Sequence, residues 1–171
     1  MGPESFAYRV VYLLHLLAVI VGFGSTFVWP LLAARARQQE PRVASAMSRV
    51  AFQAGQVLST PFIWAAGAFG VVLVVLSDET WKFSDTWISI AFLLFFAAAL
   101  FSAFVATPNN RAMVALQEKL ASGEVAPSPG GGPPAEVLEL QARGRRAGMY
   151  GGVLHLIFLL MMIDMIWKPG S

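Results

Sequence analysis

The chain contains two histidines, His15 and His155, and both fall inside long apolar runs. An imidazole withdrawn from water needs a hydrogen-bond partner or a metal, because an unpaired polar group in hydrocarbon is costly. On the first and last helices of a bundle, such a pair can give opposite axial nitrogens to a b-type haem. Arg9 or Lys168 would then stand at the nearer surface for the propionates. The pair can equally hold copper with Met161, Met162 and Met165 as soft neighbours, of which Met162, seven residues on, is nearly in line with His155. The plainer alternative is that each ring bonds a backbone carbonyl or a Ser/Thr hydroxyl and the methionines only pack. Asp164 is the only carboxylate inside an apolar run, expected either to reach the interface near Trp167 and Lys168 or to pair with Arg9. A proton relay through it would need a second carboxylate. With no cysteine, disulfides, thiolate metal sites, iron–sulfur clusters and c-type haem attachment are excluded. No HExxH, P-loop, GxSxG or dinucleotide fingerprint has supporting context, and no nucleic acid is expected as a partner.

Four apolar runs must carry these residues. Of the 171 residues, 57% are hydrophobic and only 13% charged, with mean hydropathy +0.63. Soluble domains are about 25% charged, so the composition points to an integral membrane protein in the lipid bilayer. The fold expected is all-α, a polytopic antiparallel four-helix transmembrane bundle in one domain, with helices at about 6–32, 41–76, 86–106 and 149–167. The first run is too long for a signal peptide and has no basic leader. Around His15, helical spacing gathers Val11, Tyr12, Ala18, Val19, Gly22 and Thr26, a mostly small face that admits another helix or a flat ligand. Thr60-Pro61 predicts a kink in the second helix, and Gly67 and Gly70 follow at packing spacing.

The third helix is Phe-rich, has no ionisable residue and is expected to end at Pro108-Asn109-Asn110. Residues 111–147 read as a flexible loop holding two short helices, 112–121 and 135–146, around the Gly/Pro-rich 122–134. Trp81, in the short acidic turn at 77–85, and Trp87, just after it, fit an interfacial aromatic belt. Nine of the twelve Lys/Arg lie in the two loops of one side and three on the other. This asymmetry predicts cytoplasmic basic loops, both termini outside, and a place in the plasma membrane. The cluster Arg143, Arg145 and Arg146 reads as a topology anchor or an anionic-lipid contact. His15 then lies roughly 13 Å from one end of its helix and His155 roughly 10 Å from the opposite end of its own. In a core of about 30 Å their heights agree to roughly 7 Å.

The pieces YLLHLLAVIVGFGSTFVWPLL, LSTPFIWAAGAFGVVLV, the Pro-Asn-Asn-Arg after the third run and the closing WKP resemble a bacterial family of predicted four-helix integral membrane proteins of unknown function. More distantly they are similar to the membrane-bound protoporphyrinogen oxidase family and the copper-resistance D membrane domains. The resemblance implies that His15 matches an early family histidine, Thr60-Pro61 the kink and Lys168-Pro169 the end, and the oxidase family adds haem b to the His15 argument. Helix 3 here (ISIAFLLFFAAALFSAF) lacks that oxidase's histidine, and His155 has no counterpart in its pattern. The leading expectation is a membrane protein binding haem b, or secondarily copper, through His15 and His155 in a redox or metal-handling role. The alternative is a non-catalytic accessory subunit or small-molecule permeation component, working with a membrane partner or as a homo-oligomer. A haem-pathway oxidase is the third.

Overall fold

In the computed structural model, residues 2–125 and 131–170 are described, and they form an all-helical bundle. Four helical stretches are long and apolar enough to cross a membrane: Phe6–Ala36, Pro41–Leu76, Thr86–Ser122 and Ala135–Trp167. The first is α1 (Phe6–Thr26) followed through Phe27 by α2 (Val28–Ala36). Ser5 caps it, accepting from the Tyr8 N–H at 3.3 Å. The break at Phe27 has a local cause: Pro30 has no N–H to give the carbonyl four residues back, and the Phe27 N–H instead closes on Gly24.

The second stretch is α3 (Pro41–Ala54), a π-turn (Gly55–Ser59) and α4 (Thr60–Leu76); the third is α5 (Thr86–Phe101), a π-turn (Ser102–Ala106) and α6 (Thr107–Ser122). Each π-turn runs into a Thr-Pro pair, and the physical reason is shared. The Thr60 N–H reaches back five residues to Gly55, the Thr107 N–H five residues to Ser102, and the wider turn absorbs the missing proline donor. At Thr60-Pro61, where a kink was expected, the helix widens into a π-turn. Pro108, by contrast, was expected to end the third helix and does not, because the preceding π-turn carries the chain past it into α6.

The remaining stretch, α7 (Ala135–Trp167), is a single helix. The segments expected as a separate 135–146 helix and a 149–167 span are therefore continuous, with no proline between them to interrupt the backbone. Of the stretch expected as a flexible loop, α6 and α7 take most, and residues 126–130 of the Gly/Pro-rich part lie outside the described residues.

α1 packs most extensively on α4, α5 on α7, and α3 on α6. The α1–α4 seam is tight: a Cβ at Gly22 would lie 2.8 Å from the Ile63 backbone nitrogen. Small or well-fitted residues such as Ala18, Ala66, Ile88 and Ala91 make the buried core. Large side chains, among them Leu13, Ile20, Leu93, Phe96 and Leu159, face outward, as a lipid-immersed surface requires. The second stretch has 36 residues and the third 37, which at 1.5 Å per residue is about 54 Å of helix. A hydrocarbon core is about 30 Å thick, so the bundle continues well past it at the end where α3, α6 and the start of α7 meet. That end carries most of the arginines and is tied by an Arg49–Glu118 ion pair at 3.2 Å and by the Asn109 amide donating to the Arg143 carbonyl at 3.2 Å.

Candidate functional site

His15 projects from α1 onto α4. Its Nδ1 lies 2.9 Å from the Ala66 carbonyl oxygen, which can only accept, so Nδ1 carries the proton and the neutral ring keeps its lone pair on Nε2. The close approach has a sequence basis in Ala18 and Gly22 on one helix and Ala66 and Gly70 on the other. A Cβ at Gly70 would already touch the imidazole, at 3.6 Å from Cε1. The small face expected around His15 is thus covered by a neighbouring helix.

His155 meets a different partner. Its Nε2 lies 3.0 Å from the Thr26 hydroxyl, and that hydroxyl donates its single proton to the Phe23 carbonyl at 2.6 Å. The imidazole must therefore be the donor, which leaves its lone pair on Nδ1, the opposite arrangement to His15. The ring also stacks on Phe27 (centroids 4.2 Å apart, planes at 11°), and one turn away Phe23 stacks on Phe158 (4.3 Å, 10°). Where α1 faces α4, backbones nearly touch; where it faces α7, aromatic plates fill the space.

The structure does not bring the two rings together. Eleven residues of α1 separate His15 from the Thr26 that holds His155, roughly 16 Å at the helical rise. The expected agreement in height took 149 as the end of the last helix. The helix itself begins at Ala135, well before that residue. Axial nitrogens on one iron face each other across a single atom, and rings so far apart do not fit a shared bis-histidine haem. Among the described residues no three His, Cys, Asp or Glu side chains gather as metal ligands. Met162 is 39% exposed, on the outer surface of α7.

Arg9 also differs from expectation. It pairs with Glu4 at the start of α1, both side chains largely exposed, and leaves Asp164 without it. The nearer carboxylate wins because that pair stays solvated, whereas reaching Asp164 would bury the guanidinium. Asp164 is only 6% exposed, and neither carboxylate oxygen has a hydrogen-bond partner. One turn on, the Lys168 ammonium sits over Trp81 at 4.2 Å and Trp87 at 5.3 Å from the ring centroids.

Each ring has a partner of the kind the plainer alternative expected, a backbone carbonyl for His15 and a hydroxyl for His155, though the particular hydroxyls were not picked out from the sequence. Ser25 and Ser59 join α1 to the π-turn before α4 with oxygens 2.7 Å apart, and Thr26 holds His155. The adjacent Gly-Ser-Thr of α1 and Ser-Thr-Pro of the second stretch were the available signal.

Fold and site together define a polytopic helical membrane protein in which His15, Ser25 and Thr26 of the first helix join it to its neighbours. The chain belongs to the family of predicted integral membrane proteins designated DUF2269, whose model matches residues 9–169. No curated protein and no solved structure matches it. The comparisons give no support for similarity to protoporphyrinogen oxidase or to the copper-resistance D domains.

Proposed function

We propose that the protein is a non-catalytic accessory subunit of the cell membrane, with its termini outside and its arginine-rich end in the cytoplasm. The observation that carries this reading is the length of the helices. α3, α6 and the start of α7 extend the bundle beyond a bilayer's thickness and form a polar, basic helical crown. Such a crown offers a partner a rigid surface beside the membrane, while His15 and His155 serve as helix locks. The orientation rests on the excess of Lys/Arg at that end.

The test is mild-detergent copurification from membranes, quantified by mass spectrometry. The wild type is compared with a chain in which Arg145 and Arg146 are both changed to Glu. A stoichiometric partner retained by the wild type and lost from the variant supports the reading. A chain that purifies alone, with the variant indistinguishable, contradicts it.

A second reading has one observation in its favour: the Nδ1–H of His15 is anchored on a backbone carbonyl, the second-sphere contact typical of a ligating imidazole, with Nε2 left for a metal. Haem b or copper would then be held by His15 from α1, without His155 as the opposite ligand. Visible spectra of oxidised and dithionite-reduced protein, with elemental analysis for copper, separate the readings. A Soret band or stoichiometric copper lost in His15→Ala favours the cofactor; a colourless, copper-free protein from haem-replete cells favours the accessory subunit.

A further inference from the structure

At the end of the bundle opposite the arginine-rich crown, a turn and two helix ends converge. The Trp81 backbone N–H donates to the fully buried Ser77 hydroxyl at 3.0 Å, which fixes the tryptophan in the turn after α4. Trp87 opens α5 and meets Trp81 edge to face, with centroids 5.4 Å apart and planes at 88°. Two indoles at right angles form a corner whose π-faces attract a cation, and the ammonium of Lys168 occupies it. Lys168 holds a left-handed backbone (φ 44°) at the end of α7, and its N–H closes on the Asp164 carbonyl at 2.8 Å. Asp164 therefore lies one helical turn inside the corner, on the same side of α7.

The polar groups are incompletely matched. Both oxygens of Asp164 and the indole N–H of Trp87 are buried without hydrogen-bond partners. Buried polar groups in native proteins are nearly always satisfied, and a carboxylate in a low-dielectric setting calls for a compensating cation or proton. The chain's own ammonium sits on the tryptophans while the carboxylate stays unpaired. Two features that each favour a cation thus lie about one turn of α7 apart, and Lys168 sits on one of them. A metal ion suits the place poorly, since hard cations want several oxygen ligands and the site offers one carboxylate and two π-faces. A protonated primary amine suits it better: its N–H groups can bond the orphan oxygens while its charge rests against indole.

We propose that Asp164 and the Trp81–Trp87 corner form a binding site for a primary ammonium group, with Lys168 as the resident competitor that an incoming amine displaces. The same chemistry is carried by a free small amine and by the ethanolamine headgroup of a phospholipid at this membrane surface.

The test uses the full chain in detergent micelles, titrated with methylammonium chloride at constant ionic strength against sodium chloride and read by intrinsic tryptophan fluorescence. The wild type is expected to show a saturable change that sodium does not produce. Lys168→Gln empties the corner and is expected to tighten the apparent affinity about fivefold to tenfold, the worth of one partly buried cation–π contact. Asp164→Asn keeps the side-chain shape, and it is expected to abolish the response in both the wild-type and Lys168→Gln backgrounds while gel-filtration behaviour is unchanged. Nanodiscs separate the sources. If the amine is the lipid's, methylammonium responds in phosphatidylglycerol discs and is suppressed when phosphatidylethanolamine is added; if it is a free solute, the two titrations coincide. The absence of any saturable response in Lys168→Gln, or a response indifferent to Asp164→Asn, overturns the proposal.

Discussion

α1 meets two neighbours by opposite means. Towards α4 it presents Ala18 and Gly22, and the backbones approach until His15 reaches a main-chain carbonyl. Towards α7 it presents Phe23 and Thr26, with Phe27 just past its end, and contact is made through aromatic plates and a single hydroxyl. The first seam is set by backbone shape, which side chains cannot adjust; the second is set by side chains, which can. The same residue type plays both roles, and its partner decides how rigid the joint is. A histidine in an apolar run thus carries no ligand assignment until its neighbours are known.

This contrast predicts unequal responses to substitution. Gly22→Val drives methyl groups into the Ile63 backbone and is expected to cost about 3 kcal/mol, at the upper end of overpacking penalties, in reversible unfolding by SDS or heat in micelles. Gly24, two residues on with nothing within 4 Å of a built Cβ, is the control. Gly24→Ala should be neutral or stabilise by up to about 1 kcal/mol through helix propensity. Equal losses at the two glycines would dissolve the distinction between seam and surface.

Smaller effects are expected from the polar locks. His15→Leu should lose about 1–1.5 kcal/mol, towards the larger end for an interhelical hydrogen bond in a membrane protein. His155→Phe preserves the stack on Phe27 and removes only the bond to Thr26, so a loss of about 0.5 kcal/mol is expected. Thr26→Val should match that variant, and the double variant should cost no more than either single one, because both remove one bond. A full additive loss would mean that Thr26 and His155 act independently.

Much of the fold could be read from the sequence because bilayer thickness, proline and glycine impose local rules. Four apolar runs gave four spans, Pro41 sits at the first position of α3, and Thr60-Pro61 marks the π-turn of the second stretch. The same rule fails at Pro108, since the π-turn at Ser102–Ala106 lets the helix pass that proline without ending. The relation between His15 and His155 was not legible for a further reason. Depth along each helix was inferred from where apolarity stopped, whereas α7 continues through Arg143, Arg145 and Arg146 as helix. Nor could Asp164 be placed: Arg9 pairs with Glu4 while Asp164 is buried unpaired, an outcome that sequence spacing leaves open.

The account turns on two histidines that act as separate locks with opposite protonated nitrogens. Nitrogen-15 spectra of ring-labelled protein in micelles, assigned with His15→Leu and His155→Phe, read this directly. The account predicts a ring protonated at Nδ1 that disappears in His15→Leu, and a ring protonated at Nε2 that disappears in His155→Phe and loses its preference in Thr26→Val. Two rings with the same protonated nitrogen, or signals from both that shift together when either histidine is replaced, would contradict it.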